Sequence, residues 1–384
     1  MRYSEIKLVE SILYEAATEA RIQHAEDWVF WHGSKGAVRV LDSLLNLEKG
    51  QHTDVTIKWD GSPAIIFGRD ENGEFVLTDK SGFVAKGYDG KAKSGDALAK
   101  MFLARPGAKK DPEGFKQLAT NMKDIFDEYE KAVPKDLIGF FKGDLLYYNT
   151  PPKDENNNYV FTPNIVTYTV DADSDIGKNI SRSKTGVVVH QYIDPVSGQD
   201  TTVDKETINQ FQGSEVLVFP PVTATQPAKI EDEKINNMKA AVAQNAQAID
   251  ALLDVAKLTE LKMKDFPRIL YTYVNQQTDQ TNLGANFDSW VATSKLSEPK
   301  KKRIIEWTKS NSTGFAALWQ VVNGIQQIKN DVINQFDSHD AAVQSSINGK
   351  PGGEGYVMTH PDGDMKFVNR GEGGFTQANR AVER

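Results

Sequence analysis

Apolar positions change their period several times along this chain, and each change marks an element. Ile6, Val9, Leu13, Ala16, Ala17 and Ala20 recur at helical spacing, which predicts an amphipathic helix over about 3–23, and a second is expected at about 36–47. From 53 to 79 the pattern becomes short β-branched runs, Val55-Thr56-Ile57, Ala64-Ile65-Ile66-Phe67 and Glu74-Phe75-Val76-Leu77. Asp70-Glu71-Asn72-Gly73 is placed to turn the last two into a hairpin. A Lys-rich stretch at 86–110 leads to a helix expected over 112–132. β-type runs return at 137–148, 165–171, 185–193 and 215–219.

Residues 225–345 carry almost no strand signal. Ile235, Met238, Val242, Ala246, Ile249, Leu253 and Ala256 repeat every three or four residues there, as an amphipathic helix requires. The expectation is an all-helical domain, 225–345, inserted into a sheet domain made of 1–224 and 346–384. After Gly349-Lys350-Pro351-Gly352-Gly353, strands at 354–359 and 364–369 are expected to return to that sheet. The predicted class is α+β with mainly antiparallel sheets.

The 384 residues include 45 Lys plus Arg and 53 Asp plus Glu, a net charge of −8, so any nucleic-acid contact must come from local basic clusters. Cysteine is absent, which excludes disulfides and thiolate chemistry and fits a reducing compartment. No stretch approaches the roughly 18 apolar residues of a membrane span, and Met1–Glu10 carries charge where a signal peptide is apolar. A cytoplasmic protein without membrane contact is expected.

The candidate chemistry lies in three places. Lys58-Trp59-Asp60-Gly61 follows a strand; a lysine attacks phosphorus only as the neutral amine, which nearby cations favour, and Gly61 lets the backbone approach a ligand. Alone, this motif is equally a charged β-turn. Glu354-Gly355-Tyr356-Val357-Met358 precedes Asp362-Gly363-Asp364-Met365-Lys366-Phe367-Val368, so a carboxylate for a divalent metal and a lysine for a phosphate begin and interrupt successive strands, or else form an ordinary hairpin. Within Phe141-Lys142-Gly143-Asp144-Leu145-Leu146-Tyr147, Asp144 interrupts an apolar run; such a carboxylate is costly to bury unless paired, unless the strand is an edge.

In their order and context, these segments resemble the covalent nucleotidyltransferase superfamily of ATP-dependent DNA ligases, RNA ligases and mRNA capping enzymes, over about 55–195 and 350–370. His24-Ala25-Glu26-Asp27 through Lys58 also resembles ligase-like proteins of bacteriophages. The resemblance implies a ligase-type adenylyltransferase domain, ATP and Mg²⁺, and a nucleic-acid end as acceptor. It makes Lys58 the lysyl-AMP nucleophile, with Asp60 and Gly61 completing its motif. Lys80 falls near the ribose and the incoming 5′-phosphate, Asp144 contacts ribose or metal, Glu354 is metal-associated, and Lys366 binds the α-phosphate. Tyr168, Tyr192 and His190 are candidates to stack on adenine, with core packing the favoured reading of each.

The sequence departs from that pattern at several points. The last motif has one lysine, Lys366, where the family has two. Thr56 stands where many DNA ligases read adenine with an acidic residue, and Ser62 rather than Arg follows Gly61, as in RNA ligases. Only 18 residues follow Lys366, so no C-terminal OB domain is expected, which disfavours capping. The basic run Lys300-Lys301-Lys302-Arg303, at an expected helix start, is the candidate for phosphate contacts, against its reading as a solvated face. The expected function is joining a 5′-phosphate to a 3′-hydroxyl, with a slight lean toward RNA or mixed substrates. The alternatives are a capping-type guanylyltransferase and a non-catalytic nucleotide or nucleic-acid binder.

Overall fold

The Asp70 turn behaves as its residues dictate. The Asp70 carboxylate accepts from the Asn72 and Glu74 amides, and the hairpin of Ala64–Arg69 with Phe75–Asp79 forms in antiparallel register with Phe67 opposite Leu77. The computed structural model describes residues 23–48, 55–85, 90–203, 205–211, 215–224, 228–338, 342–359, 363–371 and 373–382. The helix expected over 3–23 lies almost wholly outside the described residues.

The chain forms two compact units of an α+β protein. The first comprises 1–58, 223–339 and 354–384; the second comprises 59–222 and 340–353. This differs from the expected division, because the helical block has no core of its own. Ile235, Val242 and Ile249 of the Asp232–Leu252 helix share one apolar cluster with Val40, Leu41 and Leu44 of the Trp28–Glu48 helix and with Tyr356, Met358, Met365 and Phe367. Of the stripe read at 235–256, Ile235, Val242, Ile249 and Leu253 are buried in this cluster, while Met238 and Ala246 are half-buried and Ala256 is exposed.

The expected 36–47 helix is the second part of Trp28–Glu48, which kinks at Gly33 with φ 57°. A Cβ at Gly33 would meet Asp250 Oδ1 at 2.3 Å, so only glycine permits this approach. Asp250 then accepts from the Ser34 amide and hydroxyl, both at 2.8 Å, and joins the two helices.

The first unit's sheet has the order Gln23–His24, Met365–Phe367, Tyr356–Met358, Val55–Ile57. The first pair is parallel and the others antiparallel. The strands expected at 354–359 and 364–369 therefore join this sheet rather than the large one, Tyr356–Met358 lying between Val55–Ile57 and Met365–Phe367.

In the second unit, the main path of the large sheet runs Val216–Val218, Thr185–Ile193, Gly139–Tyr147, Ala64–Arg69, Phe75–Asp79. One face packs on Pro112–Ala132, as the buried Met122, Ile125, Phe126 and Tyr129 show. A smaller antiparallel sheet joins Val343–Ile347 to Val166–Asp171, flanked by Lys350–Pro351 and Asn158–Phe161. Asn348 and Gly349 both take positive φ and turn the 347–350 hairpin, where a chain break was expected.

Candidate functional site

Alternation along the first unit's sheet places its chemistry on one face. Val55, Met358 and Met365 are register partners, as are Ile57, Tyr356 and Phe367, and all but the half-buried Ile57 lie within the apolar core. The intervening row is Thr56, Val357, Lys366 and His24, side by side across four strands. Lys58 extends that face: its amide donates to Gly355 O at 2.8 Å, which continues the ladder past Ile57.

The Lys58 ammonium is ion-paired with the Glu354 carboxylate, both side chains being largely shielded from solvent. Lys366 finds no hydrogen-bond partner among the described residues. Burial pushes its pKa down to about 8, helped by the positive charges of Lys58 and Arg370 and opposed by Asp27 and Glu354. A partly buried lysine that shares a sheet face with a second lysine and lacks a bonded counterion has the chemistry to receive an anion.

His24 is the residue the sequence reading missed as a site element. It is 5% exposed, pairs in register with Lys366, and its Nδ1 has no partner. Burial holds its pKa well below the usual imidazole value, reinforced by Arg370, Lys366, Lys329 and Lys58. It is therefore neutral at pH 7. The signal in the sequence was the His24-Ala25-Glu26-Asp27 run, which carries a resemblance of its own but no role for His24.

Those two acids anchor the strand that carries Lys366. Lys329 donates to both Glu26 oxygens at 2.8 Å and to Val368 O at 2.9 Å. Arg370 grips Asp27 through two bonds of 2.7 Å and reaches Glu26 at 2.9 Å, and all four side chains are at most 1% exposed. Burial alone would raise the Glu26 pKa, but Lys329 and Arg370 overturn that and hold it below the usual value. The cluster fixes the backbone just after the Lys366 strand and just after its parallel neighbour Gln23–His24.

Asp60, Gly61, Lys80 and Asp144 belong to the second unit. The Asp60 carboxylate accepts from Asn164 Nδ2 at 2.9 Å and from the amides of Ile165 and Val166 at 3.0 and 3.2 Å. Its own amide donates to the Tyr168 hydroxyl at 2.5 Å. Asp60 therefore holds a loop. Gly61 is required because a Cβ there would come within 2.7 Å of the Asp144 Cβ. Asp144 is paired with the exposed His190 at 2.9 Å.

Lys80 is exposed at the start of the short Lys80–Phe83 helix, which Asp79 caps while accepting two bonds from Arg105. Of the aromatic candidates, Tyr168 is fully buried against Trp59 and Phe161, and so belongs to the core. Tyr192 donates to Ile138 O and packs on Phe141, which leaves His190 as the accessible ring.

The basic run is largely neutralised within its own unit. Lys300 pairs with Asp265, and Lys301 with Glu298 and Ala292 O. Lys302 reaches Glu306 only at 3.8 Å and stays 77% exposed, while Arg303 Nε is buried without a partner. Lys302 is the member of the run that projects most into solvent.

Among the described residues, no group of three or more His, Asp or Glu is placed to hold a metal. Nucleotide-bound Mg²⁺ takes only one or two carboxylates and completes its shell with water and phosphate oxygens. Glu354 in the first unit and Asp144 in the second are carboxylates of that kind. No helix is long and apolar enough to cross a membrane among the described residues.

A family model described as a family of unknown function (DUF6267) matches residues 19–384. No curated protein and no solved structure matches the chain.

Proposed function

The chain belongs to the DUF6267 family, and we propose that it is an ATP-dependent nucleotidyltransferase of the polynucleotide ligase type, with Lys58 as the nucleophile. One observation carries this reading. Lys58, Glu354 and Lys366, picked out by motif from segments some 300 residues apart, share one sheet face in a lysine–carboxylate–lysine arrangement.

Each side chain has a role that its surroundings support. The Lys58 ammonium first gives a proton to the paired Glu354 carboxylate; the neutral Nζ then attacks the α-phosphorus of ATP, the P–N bond forms, the bond to the pyrophosphate oxygen breaks, and the second amine proton leaves with the departing pyrophosphate. Lys366, charged below about pH 8, faces the negative charge that builds on the phosphate. The acceptor's 5′-phosphate oxygen then displaces Lys58 from phosphorus, and a 3′-hydroxyl displaces AMP to join the strand. Mg²⁺, held by Glu354 or Asp144, would neutralise the triphosphate. Asp60 acts by holding the 164–166 loop.

The test is transfer. Protein incubated with α-labelled ATP, Mg²⁺ and a 5′-phosphorylated strand should yield a labelled strand end, and joined product once a 3′-hydroxyl partner is annealed. DNA and RNA strands run in parallel identify the substrate. Label that never leaves free nucleotide with any strand overturns the ligase reading.

A further inference from the structure

The first unit holds a second feature built to bind, distinct from the Lys58 face. The C-terminal half of the Phe266–Gln276 helix and the Phe375–Val382 helix border a cleft of about 490 Å³, lined by Tyr271, Asn275, Gln276, Thr278, Gln377 and Arg380 among others. That size suits a mononucleotide-sized ligand.

Its amides are each anchored at one end, which fixes what the other end offers. Asn275 Oδ1 accepts from Arg370 at 2.9 Å, and Arg370 is itself locked by Asp27 and Glu26. Gln276 Oε1 accepts from Trp290 Nε1 at 2.9 Å. Gln377 is held the opposite way, its amide nitrogen donating to Gln277 O at 3.2 Å and Arg370 O at 3.1 Å. The Asn275 and Gln276 NH₂ donors and the Gln377 carbonyl acceptor are thereby left without hydrogen-bond partners among the described residues.

Tyr271 supplies a half-buried ring among these groups, steadied by Trp31 edge-on at 5.7 Å and by the Arg370 guanidinium at 5.8 Å. Arg380 places a cation on the same cleft. Fixed donors and an acceptor beside an aromatic ring match the edge and face of a heterocyclic base, and the cation matches a phosphate.

We propose that this cleft binds a nucleotide, its base stacked on Tyr271 and read by Asn275, Gln276 and Gln377, its phosphate met by Arg380. The assignment stands on the cleft alone and does not require Lys58 to carry AMP. The ligand is either a free mononucleotide or one nucleotide of a single strand, which the same chemistry would hold.

The test is photo-labelling of the full chain with 8-azido-AMP and, separately, with a 5′-phosphorylated oligonucleotide bearing one 8-azidoadenine, followed by peptide mapping. Label is expected on 268–278 or 375–382 and should fall at least tenfold in Tyr271→Ala and in Arg380→Glu, while Tyr271→Phe, which keeps the ring, retains it. Labelling by the oligonucleotide alone identifies a strand as the ligand, and labelling by the mononucleotide identifies a free nucleotide. Circular dichroism of each variant separates lost binding from lost folding. Label confined to peptides around Lys58, or cleft label unchanged in the folded Arg380→Glu variant, overturns the proposal. Adenylation of Lys58, followed in the same samples, reports separately on the ligase reading.

Discussion

At the residue scale, Lys366 carries the clearest titration. Its pKa in the fold is about 8 against 10.5 for a free lysine, so the folded state disfavours its charge. That penalty is present in full below about pH 8 and is relieved as pH rises toward 10.5. Lys366→Met should accordingly stabilise the protein at pH 7 by about 1 to 3 kcal/mol, an advantage that fades by pH 10 in denaturant melts. ATP affinity should follow the opposite logic. It should weaken as pH rises through about 8 in the wild type and stay flat in Lys366→Arg, measured by calorimetry at pH 7 and pH 9 with each group's charge state as the only variable.

Asp60 makes a different kind of prediction. The buried Asp60 carboxylate satisfies three donors of the 164–166 loop, so Asp60→Ala should cost about 2 to 4 kcal/mol through orphaned amides. A variant that melts with the wild type yet fails to take AMP would give Asp60 a chemical role instead. Motif spacing marked Asp60 as important, but spacing does not tell a loop anchor from a reacting group. The hydrogen bonds at 164–166 do.

At the scale of elements, local patterns were legible wherever the period was strong and the turn chemistry explicit. The Pro112–Ala132 helix begins and ends where its Asp111 cap and its apolar repeat place it, and the Asp70 hairpin closes as expected. Gln23–His24 and Asp200–Thr202 were not legible, being too short and too polar to show alternation, whereas the equally short Val55–Ile57 showed as an apolar β-branched run. Strand partners were equally hidden: nothing in 354–369 says that it pairs with 55–57 rather than with the large sheet. The Gly33 kink is a tertiary device of the same kind, since it answers to Asp250, over 200 residues away. Gly33→Ala should cost roughly 2 to 4 kcal/mol, from a close contact and a positive φ together, read as a fall in melting temperature. A melting temperature within a degree of wild type would mean that the kink is not held by Asp250.

At the scale of the whole molecule, the helical block was visible as helices and invisible as part of a shared core. Its apolar stripe shows that it must pack, and the stripe is the same whether it faces its own helices or segments from the chain's ends. The buried quartet Glu26, Asp27, Lys329 and Arg370 ties those ends together. Removing one member leaves uncompensated charge, so Arg370→Met should cost about 3 to 5 kcal/mol and loosen the strand bearing Lys366. Hydrogen exchange at 365–367 would register that loosening directly.

The account as a whole rests on Lys58 as the nucleophile. The most direct measurement is peptide-level mass analysis after incubation of the purified protein with α-labelled ATP or GTP and Mg²⁺. AMP covalently attached to Lys58, absent from Lys58→Ala and reduced in Glu354→Gln, is the predicted result. GMP in its place would make the protein a capping-type enzyme. A folded protein, isolated free of bound nucleotide, that takes neither would contradict the account and leave a nucleotide-binding protein without transfer chemistry.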